Sequence, residues 1–101
     1  MTTSHSPPPD SADESGLRTK LERLGYRVSR YVYPPGTRFA THTHAFDKLD
    51  AVVAGRFIVL MDGREQVLGP GEMIAIPAGH AHAAWVAGPQ AVISLDGVRP
   101  D

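Results

Sequence analysis

The sequence predicts an all-β domain, a small sandwich or barrel preceded by one short helix. Two observations carry this prediction. From Tyr26 onward the chain is cut at intervals of roughly 7 to 12 residues by turn chemistry: Pro34-Pro35-Gly36, Ala54-Gly55, Asp62-Gly63, Gly69-Pro70-Gly71, Pro77-Ala78-Gly79 and Gly88-Pro89. The segments between these turns are short and rich in branched aliphatic residues, and they leave no room for the crossover helices a parallel sheet requires. At 101 residues the chain is one domain. Its core must be built from the roughly 85 to 90 residues that follow a polar tail, enough for a small barrel.

Residues 1–14 are mostly Ser, Thr, Pro and acidic residues without an apolar period. Such a segment cannot offset the entropy lost on ordering, so a disordered tail is expected, with His5 inside it and without a role. Next, Leu17, Leu21 and Leu24 recur at i, i+4 and i+7. They predict a helix of about ten residues with Ser15 as N-cap and Gly25 at the C-terminal stop. A helix this short needs its leucine stripe packed against a sheet or a second subunit. In the strands that follow, Asp62-Gly63 between Arg56–Met61 and Arg64–Leu68 is the strongest hairpin signal. The predicted core comprises Val28, Val32, Val52, Val53, Phe57, Ile58, Leu60, Val67, Ile74, Ile76, Val92, Ile93 and Leu95. Trp85, Tyr26, Tyr31 and Tyr33 are assigned to outer packing or a subunit contact.

Ten Lys and Arg against eleven Asp and Glu give a formal charge of −1, which provides neither a nucleic-acid footprint nor a membrane-surface patch. No apolar run of about 18 residues and no basic-then-apolar start is present, so a cytoplasmic location is expected. With no cysteine, a transition-metal site must draw on histidine and carboxylate. Four of the five histidines lie in two short stretches, Thr41 to His44 and His80 to His82. Histidines at i and i+2 share one face of a strand. Each pair can therefore bind one metal ion or one anionic ligand jointly.

Both stretches sit in longer patterns. Gly36, five residues, His42-Thr43-His44 and then Gly55 resemble the first motif of the cupin family; Gly71, five residues, Pro77-Ala78-Gly79, two residues and His82 resemble the second. The matched region runs from Gly36 to His82, about half the chain. The resemblance implies a double-stranded β-helix, the cupin jelly-roll barrel, over residues 15–101, with His42, His44 and His82 as metal ligands inside the cup. It also implies a divalent transition metal, among which zinc, iron, nickel, copper and manganese are not distinguished. Two positions depart from the family pattern. The usual carboxylate ligand, a Glu four or five residues after the second histidine, is replaced by Lys48 and Leu49, and an Asn common at the end of the second motif is replaced by Val86.

Lys48 and Asp50 share the parity of His42 and His44, so a regular strand would turn all four side chains into the cup. They are the candidate catalytic pair, provided burial near a cation lowers the lysine pKa, or else an interior ion pair. Arg38, of the same parity, is a candidate anchor for a carboxylate or phosphate, or a solvated strand-edge residue. His80 is a candidate ligand or proton carrier at the cup mouth. The functional expectation is a small metal-binding cupin and, as its finer form, a metal-dependent enzyme of dioxygenase, isomerase or lyase type acting on a small polar molecule held in the cup. The alternatives are a non-catalytic ligand- or metal-sensing module and a metal-free cup that binds an anion directly. A homodimer is expected, because a chain this small leaves sheet edges and a leucine-striped helix to be covered.

Overall fold

In a computed structural model, residues 11–99 are described; they form helix α1 (Glu14–Arg23) and eight strands. The strands are β1 (Arg27–Tyr33), β2 (Arg38–His42), β3 (Asp47–Ala54), β4 (Arg56–Met61), β5 (Arg64–Leu68), β6 (Met73–Ile76), β7 (His82–Ala87) and β8 (Val92–Arg99). They pair antiparallel into two four-stranded sheets, ordered β1-β8-β3-β6 and β2-β7-β4-β5. Consecutive strands repeatedly change sheet, which is the all-β jelly-roll arrangement the turn spacing predicts.

Local chemistry fixes the corners. Asp62 and Gly63 have φ of 55° and 74°, both left-handed as a type I′ turn requires, and Met61 pairs with Arg64 across them. Gly55 is the single residue between β3 in one sheet and β4 in the other. Its φ is +83°, and a Cβ there would run into the Ala91 carbonyl oxygen, so the sheet change at this point demands glycine.

Strand alternation sorts the side chains into two cores. Between the sheets Val52, Phe57, Val59, Leu68, Ile74, Ile76, Ala84, Val86 and Val92 pack together. Behind the first sheet Leu21 of α1 is fully buried against Ala51, Val53 and Leu95. β3 is therefore covered on both faces, consistent with its unbroken apolar run. Val32 and Val67, expected in the core, are instead 53% and 51% exposed. Each has the wrong parity: the inward positions are taken by Tyr33 and Leu68.

The helix boundaries also differ from expectation. Asp13, not Ser15, is the N-cap, its Oδ1 accepting the Gly16 N–H at 3.2 Å while Ser15 Oγ donates to the same carboxylate. At the other end Gly25 (φ +93°) closes a Schellman motif: Tyr26 N–H donates to Leu21 O at 3.1 Å and Gly25 N–H to Glu22 O at 3.0 Å. The tail expected over residues 1–14, with His5, lies outside the described residues up to position 10. Within them the chain is already tied down, since Ala12 N–H donates to Val53 O at 2.8 Å and Glu14 opens the helix.

Candidate functional site

Strands of both sheets line a cup of about 470 Å³. His42, at the end of β2, pairs directly with His82, at the start of β7. His44 lies just beyond β2, on the segment that crosses from the second sheet to β3 in the first. Its carbonyl accepts the Gly79 N–H at 2.8 Å, tying the crossing to the Pro77-Ala78-Gly79 turn. The three imidazoles consequently meet: one nitrogen from each lies within 4.8 Å of the others, and the ring centroids are 4.3 to 5.1 Å apart.

The hydrogen bonds of these rings leave nitrogens free that could hold an ion. His42 Nδ1 lies 2.7 Å from Ala40 O and His82 Nδ1 lies 2.9 Å from His80 O. A carbonyl only accepts, so both Nδ1 atoms carry the proton and both Nε2 atoms present a lone pair. His44 Nε2 is buried and has no hydrogen-bond partner. Burial, then the charge of Lys48, lowers the His44 pKa; burial is also the main cause lowering that of His82, so these rings stay neutral at neutral pH. Neutral, convergent and with an orphaned nitrogen, the set fits a divalent transition ion.

A second polar group forms the floor of the cup. Lys48 Nζ lies 3.3 Å from Asp50 Oδ2 and 3.5 Å from Asp96 Oδ2. Asp50 on β3 and Asp96 on β8 are directly opposed across the strand pair. Asp96 further accepts from Ser94 Oγ at 2.6 Å and from Tyr33 OH at 3.3 Å. One ammonium cannot neutralise two carboxylates, and the strain shows on Asp50: burial, then repulsion from Asp96, pushes its pKa up to about 7 against the pull of Lys48. For Lys48, burial favours losing the proton, but the two carboxylates outweigh it and raise its pKa. The lowered lysine pKa that base or nucleophile chemistry needs is absent, and Lys48 acts as a charged donor. Burial, then the charges of Asp96 and Asp50, raises the Tyr33 pKa, so its phenol keeps its proton.

Several predicted positions are reassigned. The register slips between Phe39 and His42, so three residues of β2 span two of β7. This bulge turns Phe39 inward, and Arg38, expected to share His42's direction, is exposed outside the cup with its guanidinium 5.3 Å from the centroid of Trp85. His80 is likewise outside: its Nε2 lies 3.5 Å from Asp62 Oδ2 on the hairpin turn, and it serves the site only through the carbonyl that orients His82. Lys48 and Asp50 do reach the cup, but not along one regular strand with the histidines, because β2 and β3 belong to different sheets. Tyr33, assigned to outer packing, lines the cup between Phe39 and Phe57, with ring centroids at 5.0 and 5.6 Å. Asp96 and Ser94 were not foreseen. Their signal was present, since two polar residues at i and i+2 in the apolar strand Val92–Arg99 mark a polar patch on one face.

The comparisons with known proteins agree with this fold. The family model described as cupin domain matches residues 29–96, and the chain belongs to the cupin family. No curated protein matches it. Among solved structures, one from work on the DMSP lyases RdDddP and RnDddQII is 26% identical with a TM-score of 0.68, covering 74% of this chain and 38% of that one. A protein of unknown function from Rhizobium leguminosarum is also 26% identical, with a TM-score of 0.67 and coverage of 75% and 71%. KdgF from Halomonas sp. shares the fold at 22% identity and a TM-score of 0.65, over 76% of this chain and 72% of that one. Among the described residues no helix is long and apolar enough to cross a membrane.

Proposed function

We propose that this cupin binds one divalent transition ion through His42, His44 and His82 and uses it to hold a small polar molecule in the cup for chemistry of lyase, isomerase or oxygenase type. The observation that carries this reading is the orphaned, buried His44 Nε2 beside two histidines whose Nδ1–H groups are already committed to backbone carbonyls. When bound, such an ion supplies Lewis-acid polarisation of a ligand oxygen. The protein's own residues do the rest. Phe39, Phe57 and Val59 exclude water from one wall. Lys48 offers a hydrogen-bond donor, Tyr33, its O–H given to Asp96, offers an acceptor oxygen, and Asp50 carries an exchangeable proton at the floor. The 26% identity to a structure from work on DMSP lyases supports a lyase among these reaction types. Fold alone does not select one.

Elemental analysis of protein purified without a metal-affinity step tests the ion site. About one ion per chain is expected, lost when His42, His44 and His82 are together changed to Ala and kept in His80→Ala. Equal metal content in the triple variant overturns the assignment.

The protein is also proposed to be a homodimer. Across the outer face of the second sheet Arg38, Trp85, Ile58 and Val67 stand in one register row, and α1 covers only the other sheet. Val67 on the edge strand β5 is half exposed.

A further inference from the structure

The floor of the cup holds one more carboxylate than the fold requires. A buried ammonium needs one counter-charge, and Asp96 already provides it while accepting from Ser94 and Tyr33 as well. Asp50 is the surplus. Among the described residues Lys48 is its one polar side-chain partner, its Oδ1 is buried without a partner, and its neighbour in register on β6 is Ile74. An apolar side chain at this position would pack beside Ile74 at no desolvation cost, so stability does not account for an acid there.

What would satisfy the floor follows from the donors and acceptors left over. Asp50 Oδ1 lacks a hydrogen-bond partner. Lys48 carries three N–H groups, of which Asp50 and Asp96 take two. A single ligand hydroxyl answers both, accepting from Lys48 and pairing with Asp50, to which it donates when the carboxyl is ionised and from which it accepts when the carboxyl is protonated. A ligand ammonium would stand beside the Lys48 cation and be repelled. At the other end of the same cup, an ion on three neutral histidines would carry its charge undiminished and attract an anion, most simply a carboxylate.

We propose that Asp50 and Lys48 form a hydroxyl-recognition site, and that the cup takes a small hydroxy-carboxylic acid with its carboxylate toward the three histidines and its hydroxyl on the floor. The proposal rests on the reading of His42, His44 and His82 as an ion site. The apolar walls, Phe39, Phe57, Val59 and Ile76, accept the carbon chain between the two ends, and 470 Å³ limits the ligand to a small one.

Calorimetric titration of the zinc-loaded full-length protein tests it, with butyrate, 3-hydroxybutyrate, 4-hydroxybutyrate, valerate and 5-hydroxyvalerate as probes. At one chain length the hydroxy acid should bind at least about tenfold more tightly than its parent, the advantage of a hydroxyl that leaves no buried group unpaired. In Asp50→Leu, or in Asp50→Ala should the first not fold, that advantage should fall below about twofold. Equal affinities of hydroxy and parent acids at every length in the wild-type protein overturn the proposal, as does a preference that survives in the Asp50 variant. Butyrate binding that vanishes on chelation keeps the ion-site reading even then. Failure to take up zinc overturns both.

Discussion

Replacing Asp50 with Asn should change how stability depends on pH, because the proton on this carboxyl belongs to the folded state. Its pKa rises from 3.8 in an unperturbed chain to about 7 in the fold, through burial first and Asp96 second. The folded protein therefore binds the proton more tightly than the unfolded chain. This stabilisation is complete below about pH 4 and is lost as pH rises toward 7. At 1.36 kcal/mol for each pH unit, the whole effect is about 4 kcal/mol. Asp50→Asn keeps the shape and removes the titration. Urea unfolding of both proteins from pH 4.5 to 8 should show the variant gaining on the wild type with rising pH, steepest between pH 5 and 7. His44 and His82, whose lowered pKa values favour the fold as pH rises through 6.5, contribute to both proteins and cancel in the difference. Parallel curves, or a wild type that gains on the variant, would mean that Lys48 holds Asp50 ionised, and the reasoning would be wrong.

The two carboxylates should differ sharply in what their loss costs. Asp96→Ala strips the acceptor from Ser94, Tyr33 and Lys48 together and should cost about 3–5 kcal/mol in urea unfolding at pH 7, whereas Asp50→Ala leaves Lys48 its partner Asp96 and should cost less than half as much. Similar losses would contradict the assignment of Asp96 as the structural partner. Lys48→Glu, which places a carboxylate where metal-binding relatives of this pattern carry one, should tighten zinc binding at least about tenfold in chelator competition while weakening the apo-protein at pH 8, since three acids then face one another; unchanged or weaker zinc affinity would show that position 48 does not reach the ion. Sedimentation velocity at micromolar concentration should give a dimer, and Trp85→Glu on the exposed row should shift it toward monomer; a monomeric wild type ends that proposal.

Much of the scaffold follows from local sequence. Asp62-Gly63 can satisfy its two left-handed positions in few other ways, the helix stop at Gly25 closes on its own last turn, and the histidine motifs place His42, His44 and His82 because short Gly and Pro turns set the phase at which each strand begins. The turn and the helix stop are decisions taken within a few residues of chain, so composition and spacing disclose them; the histidine set is legible through its resemblance to the cupin motifs. The floor of the cup is different. Lys48 and Asp96 are 48 residues apart in sequence and meet only because β3 and β8 pair in one particular register. A single extra residue in β2 sends Arg38 out to Trp85 and brings Phe39 in, and the crossing after His44 puts Lys48 and Asp50 on a different sheet from His42. Parity counted along the chain fails at such points, since a bulge or a change of sheet resets it. The histidine cluster was thus legible in the sequence motifs, whereas the groups that raise the pKa values of Lys48 and Asp50 were brought together by closure of the barrel, where side chains from distant strands must share one desolvated space.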